Sequence, residues 1–205
     1  MQSTNRDRCH LTCLALCLAA LILASPAFAQ NATFSINENA SSYSASVEIT
    51  DTDSYQFTKP GYLGEAVPIS VREIRVMGVH GEVSYDEQRN SVITFPEGDY
   101  LISYEGDLDG NSFSALFKTP YNVTISLPGV YFVDNPLLGY VSQGGSVLVG
   151  ENQTTILWES TRYAEIRFYD ELRLFILSVF GTIWVVFMII LLFGYYSMRA
   201  ASRRE

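Results

Sequence analysis

The chain has 205 residues and a formal charge of −9. It lacks the clustered Lys and Arg that a nucleic-acid binder needs to neutralise phosphates. All three cysteines, Cys9, Cys13 and Cys17, lie in the first apolar run. Once that run is removed, no Cys and one His remain, so disulfides, zinc ribbons, thiol catalysis and His-rich metal sites are excluded together.

Met1 to Ala29 reads as a secretory signal peptide. Arg6 and Arg8 give a basic start, and Leu11 to Ala24 is apolar. Ala27-Phe28-Ala29 presents small residues at the two positions a signal peptidase reads, predicting cleavage between Ala29 and Gln30. Leu16, before Cys17, is too large for a lipobox. The rival reading is an uncleaved signal anchor, with the three cysteines on one helical face, where acylation is chemically reasonable. Both readings place the middle of the chain outside.

Residues 30–170 form the predicted ectodomain. They carry 19 acidic and 7 basic residues, a net of −12. Tyr43, Ala45, Val47 and Ile49 alternate with polar residues. So do Tyr121, Val123, Ile125 and Leu127, and again Ala164, Ile166 and Phe168. Period-2 alternation marks strands with one face on a core and one in water. Val71 and Ile74 are three apart, which predicts a bulge near Glu73. Turn signals recur at Asp51-Thr52-Asp53, Pro60-Gly61, Pro96-Glu97-Gly98, Asp109-Gly110, Pro128-Gly129, Asn135-Pro136 and Gly144-Gly145. The expectation is an all-β domain of about ten strands. Its architecture is an antiparallel β-sandwich, immunoglobulin-like in layout only. A split near Lys118-Thr119-Pro120 would leave two halves with little core each, so one domain is expected.

Four Asn-x-Ser/Thr sequons, at Asn31, Asn39, Asn122 and Asn152, are candidate glycosylation sites. Asp107, Asp109 and Asn111 are spaced like the first ligands of a calcium loop. Ser112 stands where that loop needs Gly, and Lys118 where it needs Glu, so a helix–loop–helix site is rejected. What remains is a looser calcium loop or an Asp-Gly-Asn hairpin turn. Gln143-Gly144-Gly145-Ser146 lacks the second Gly of a nucleophile elbow, and His80 is the only His after the first run. Asp86-Glu87 is adjacent in sequence without being a glycosidase pair. No catalytic residue, metal site or cofactor is assigned.

Leu174 to Tyr196 contains no charge and is long enough to span a bilayer as one helix. Asp170 and Glu171 precede it, and Arg199, Arg203 and Arg204 follow, which orients residues 197–205 as a short cytoplasmic tail. The cell-membrane topology is therefore type I, single-pass. Ser178, Gly181 and Thr182 form a small-residue patch suited to close helix approach. No Ser/Gly/Pro-rich stalk separates the last strand from the helix.

Four stretches carry a resemblance: Pro120-Tyr121-Asn122-Val123-Thr124-Ile125-Ser126-Leu127-Pro128-Gly129, Asn135-Pro136-Leu137-Leu138-Gly139, Ser142-Gln143-Gly144-Gly145 and Glu165-Ile166-Arg167-Phe168-Tyr169-Asp170. With the terminal helix, they resemble an uncharacterised family of secreted, membrane-anchored proteins in methanogenic and related archaea. The resemblance implies an archaeal envelope setting, where Asn glycosylation is available, and no chemistry. The expected role is a structural or protein-interaction module whose partners are other membrane or cell-envelope proteins. The alternatives are a surface receptor for calcium or carbohydrate using the Glu105–Asn111 loop, and an envelope hydrolase.

Overall fold

The computed structural model describes residues 29–61 and 63–202. The expected signal segment up to Phe28 with its three cysteines, Tyr62, and residues 203–205 lie outside the described residues. Among the described residues, twelve strands precede one helix. They are β1 (Gln30–Ile36), β2 (Ser42–Gln56), β3 (Thr58–Pro60), β4 (Ala66–Pro68), β5 (Val71–Gly78) and β6 (Gly81–Glu82). Then come β7 (Asp86–Gln88), β8 (Val92–Asp107), β9 (Ser112–Pro128), β10 (Tyr140–Val141), β11 (Ser146–Val149) and β12 (Gln153–Arg167). The helix α1 (Glu171–Ser202) is the last described element.

Ten strands form one continuous sheet, with the path β10-β12-β9-β1-β2-β8-β5-β6 and with β11 and β7 added on β12 and β8. The pairings are antiparallel except that β1 runs parallel to β9. The sheet is thus mixed, where an antiparallel arrangement was expected. Alternation decides the register. Ala32 pairs with Val123 and Phe34 with Ile125, and all four are buried. A one-residue slip would turn both apolar sets outward.

The four long strands bend midway. Asp51 to Asp53 on β2 faces Pro96 to Gly98 on β8, with register shifts on both sides of Thr52. Tyr121 on β9 pairs with Thr161 on β12, again with register shifts on both sides. Each bend contains a residue with positive φ, Asp51 at 51° and Ser160 at 49°. In both cases a side chain of the partner strand holds the backbone N–H of that residue. Asp99 Oδ1 accepts from Asp51 at 3.0 Å, and Asn122 Oδ1 accepts from Ser160 at 3.1 Å. The bends let the sheet turn back on itself. Phe113, on the first half of β9, packs on Phe34 and Tyr43 with ring centroids 4.7 and 4.8 Å away.

A single hydrophobic cluster results, with Trp158, Phe34, Phe57 and Phe168 fully buried. Each such side chain contributes about 1.5–3 kcal/mol relative to exposure. The bulge read from Val71 and Ile74 is present: Glu73 has φ 53°, and the β5–β8 register shifts between Arg72 and Arg75.

Asp170 caps α1, its Oδ1 accepting from Arg173 N at 2.8 Å. Glu171 in the first turn and Arg199 in the last suit the helix dipole. Glu171–Arg199 is long and apolar enough to cross a membrane, and none of its apolar stretch is buried against the β domain. The chain is therefore mostly β, with one carboxyl-terminal helix that could span a membrane. The span read from sequence, Leu174 to Tyr196, lies inside that helix.

Candidate functional site

A cleft of about 450 Å³ opens where the β3–β4 hairpin lies over the β8–β9 hairpin. Its apolar lining comes from Val67 and Ile69 on one side and Tyr43 and Phe113 on the other. Lys59, Glu65, Asp107, Asp109 and Glu165 bring charge to it, and Tyr163 adds a hydroxyl. The β3–β4 hairpin is held by Gly61 N to Glu65 O at 2.7 Å and by Ile69 N to Phe57 O at 3.1 Å.

Tyr43 is the central aromatic of this cleft. Gly106 on β8 lies beneath it, and a Cβ there would collide with the Tyr43 ring and hydroxyl. Only glycine permits the close approach. Burial, and then the neighbouring Asp107 carboxylate, push the Tyr43 pKa up to about 12. Tyr163 donates to Glu165 Oε2 at 2.5 Å. Burial first, and that carboxylate second, raise its pKa to about 12. Both phenols therefore stay protonated at neutral pH, and Tyr163 donates to Glu165.

Asp107, Asp109 and Asn111, the weak metal candidates, do lie at this cleft or on its hairpin, but each has another occupation. Arg72 donates to Asp107 Oδ1 at 2.8 Å and to Glu105 Oε2 at 3.2 Å. Lys59 lies 3.5 Å from Asp109 Oδ2. Asn111 O accepts from Phe168 N at 3.0 Å, tying the hairpin to the end of β12. Gly110 takes φ 71° and Ser112 Oγ donates to Asp109 O at 3.1 Å, the geometry of a hairpin turn. Among the described residues no group of three or more His, Cys, Asp or Glu side chains is placed to hold a metal ion.

The sequons occupy two settings. Asn31 and Asn122 are direct partners on the parallel strands β1 and β9. Asn122 Nδ2 donates to Asn31 Oδ1 at 3.5 Å, and Asn31 Nδ2 to Glu48 Oε2 at 2.8 Å. Asn39 lies in the β1–β2 hairpin, its Oδ1 accepting from Ser41 N at 3.1 Å and Ser41 Oγ at 2.8 Å. Asn152 lies in the β11–β12 turn, its carbonyl accepting from Gly129 N at 2.9 Å. Ala29 and Gln30, the residues flanking the expected cleavage, stand at the start of β1.

Gly144, at φ 87°, forms the turn before β11. Ser146 opens that strand, whereas His80 lies in the β5–β6 turn. Asp86 and Glu87 are exposed on β7. On α1, Ser178 Oγ donates to Leu174 O at 3.0 Å and Thr182 Oγ1 to Ser178 O at 2.9 Å, so both hydroxyls are satisfied within the helix.

Sequence reasoning missed the cleft and the junction between the β domain and α1. At the junction, Phe132 and Tyr169 form an antiparallel bridge with N–H to O distances of 2.8 and 3.0 Å. Tyr169 also donates to Asp134 Oδ1 at 2.5 Å. Burial, and then that carboxylate, raise the Tyr169 pKa. The only sequence signal for this contact was the aromatic pair Phe168-Tyr169 before the apolar run.

No curated protein matches the chain. A family model matches residues 28–204, which takes in every described strand and the helix. The chain belongs to DUF5803, a family of unknown function.

Proposed function

We propose that this is a type I single-pass membrane protein of the cell surface whose β domain acts as a non-catalytic structural or protein-interaction module. In this reading Met1–Ala29 is a cleaved signal, 30–170 is a β-sandwich outside the cell, and residues 197–205 face the cytoplasm. The folded-back sheet supports the sandwich. The acidic residues before the span and the arginines after it support the orientation. The setting is a cell envelope of archaeal type, as the resemblance implies, with sequons available for glycan.

One observation carries the proposal: only Phe168, Tyr169 and Asp170 separate β12 from α1, Asp170 being the helix cap, and Tyr169 is tied back to Phe132. A domain without a stalk stays at the membrane face. It meets neighbouring membrane or envelope proteins rather than distant ligands. Cross-linking in intact cells followed by affinity purification is expected to recover a defined membrane or envelope partner. Recovery of no protein beyond background would count against the reading.

The cleft favours a second reading, a surface receptor. The exposed Tyr163 beside Glu165, Asp107 and Asp109 suits a polyhydroxylated ligand such as an oligosaccharide. With Asp107 and Asp109 facing Arg72 and Lys59, the cleft suits calcium less well than carbohydrate. An oligosaccharide array probed with the detergent-solubilised full chain separates this reading from the first.

A further inference from the structure

We propose that the loop between β9 and β10, residues 129–139, is a second membrane contact, seated in the lipid headgroup layer beside the amino-terminal end of α1. This rests on the reading of α1 as a membrane anchor.

Three large apolar side chains of this loop are exposed: Val130 at 57 %, Phe132 at 36 % and Leu137 at 74 %. The loop is nonetheless ordered by its own bonds. Asn135 O accepts from Gly139 N at 2.7 Å, and Asn135 Oδ1 accepts from Leu137 N at 2.9 Å. Val130, Phe132 and Leu137 gather exposed apolar surface on one short ordered loop, and it is such gathered surface, not a lone leucine, that marks a contact site. The single charge between Gly129 and Tyr140 is Asp134, whose carboxylate takes the Tyr169 hydroxyl. The loop thus brings one carboxylate, hydrogen-bonded to Tyr169, and no other ionic group to the interface.

The chain fixes how far the loop is from the bilayer. Phe132 is bridged to Tyr169, and Asp170 is the helix cap. From Asp170 to Leu174, where the charge-free run begins, the helix rises about 6 Å. The headgroup layer on each side of a bilayer is about 5–7 Å deep, the difference between its full and hydrocarbon thickness. The Phe132–Tyr169 bridge thus sits at the level of the headgroups when α1 spans. Aromatic and aliphatic side chains at that level are stabilised by the interface. The occupant of the apolar face is the bilayer that α1 already crosses.

The test uses the full chain with Cys9, Cys13 and Cys17 replaced by Ser, reconstituted in phosphatidylcholine bilayers. Spin labels are placed singly by Leu137→Cys, Val79→Cys and Val186→Cys. Val79, 90 % exposed in the β5–β6 turn, is the water reference, and Val186 on α1 is the lipid reference. The ratio of oxygen to nickel-complex accessibility at position 137 is expected to fall between the two references. A value at 137 equal to that at 79, with 186 reporting lipid, overturns the loop contact and leaves the anchor standing. A label at 186 that reports water overturns the anchor and the loop contact with it.

Discussion

Phe132 and Tyr169 exchange two backbone hydrogen bonds, at 2.8 and 3.0 Å, immediately before the chain enters α1. The Tyr169 phenol adds a bond to Asp134, and the two rings lie 5.9 Å apart. Tyr169 is 3 % exposed, and its hydroxyl bond to Asp134 is part-buried. A hydrogen bond to a charged group contributes about 1.5–3 kcal/mol, and Asp134 is exposed, which favours the lower end. Tyr169→Phe is expected to destabilise the β domain by about 1–2 kcal/mol in detergent denaturation. Unchanged stability would mean the phenol does not secure the junction.

Gly106 and Tyr43 are the second dependent pair. The Tyr43 ring lies across Gly106 and is itself wedged among Phe34, Phe113 and Tyr104. A methyl group at position 106 must push the ring, and overpacking a well-filled core costs about 1–3 kcal/mol. Gly106→Ala is expected to lower stability by that amount and to alter near-ultraviolet circular dichroism. Gly110→Ala meets open space but keeps φ 71°. It should therefore lower stability without changing the aromatic signal.

Much of the fold is legible in the sequence because it is local. The alternation at Tyr43–Ile49 and Tyr121–Leu127 names the buried faces, and all eight apolar residues are buried. The three-residue spacing from Val71 to Ile74 gives the bulge at Glu73. The same local reading misleads at Asp51–Asp53 and Pro96–Gly98. These look like turns between strands but are opposed bends within β2 and β8. Asp, Pro and Gly favour the backbone of a bend as much as that of a turn, and only the partner strand decides. The parallel β1–β9 pairing and the cleft were not legible. Both depend on segments far apart in the chain: β1 meets β9 about 90 residues away, and the β3–β4 hairpin meets the β8–β9 hairpin. Neither leaves a periodic mark.

Asn31 and Asn122 make a prediction about modification. They are cross-strand partners whose amides touch at 3.5 Å, and Asn31 Nδ2 is also bound to Glu48. A glycan on either Nδ2 covers the other. In a host that glycosylates the chain, folded molecules are expected to carry a glycan at no more than one of the two. Thr33→Ala, which destroys the first sequon, should raise occupancy at Asn122. Glycopeptide mass spectrometry reads both, and a major population occupied at both sites would refute the exclusion.

Alkaline pH is expected to unfold the domain through its buried tyrosines. Burial, reinforced by Asp107, holds Tyr43 at about 12, and burial, reinforced by Glu48, holds Tyr121 at about 12. The ordinary value, which the unfolded chain takes, is 10.0. Above that value the unfolded chain loses phenolic protons that the folded chain keeps. The unfolded state then binds fewer protons, so stability falls as pH rises. The contribution is fully present below pH 10 and is lost by about pH 12. Each of these two tyrosines, 6 % and 5 % exposed, contributes a slope on the order of 1.4 kcal/mol per pH unit in that window. Tyr121 also donates to Glu48 O at 3.0 Å, a bond that ionisation removes. Denaturant titrations at a series of pH values should show flat stability up to about pH 10 and a steep decline above it. Tyr43→Phe should flatten that decline while lowering little of the stability at neutral pH, since the ring and its contacts with Phe34 and Phe113 remain. If phenolate absorbance instead rises with a midpoint near pH 10 for all tyrosines while the domain stays folded, the buried phenols are not protected as their packing requires.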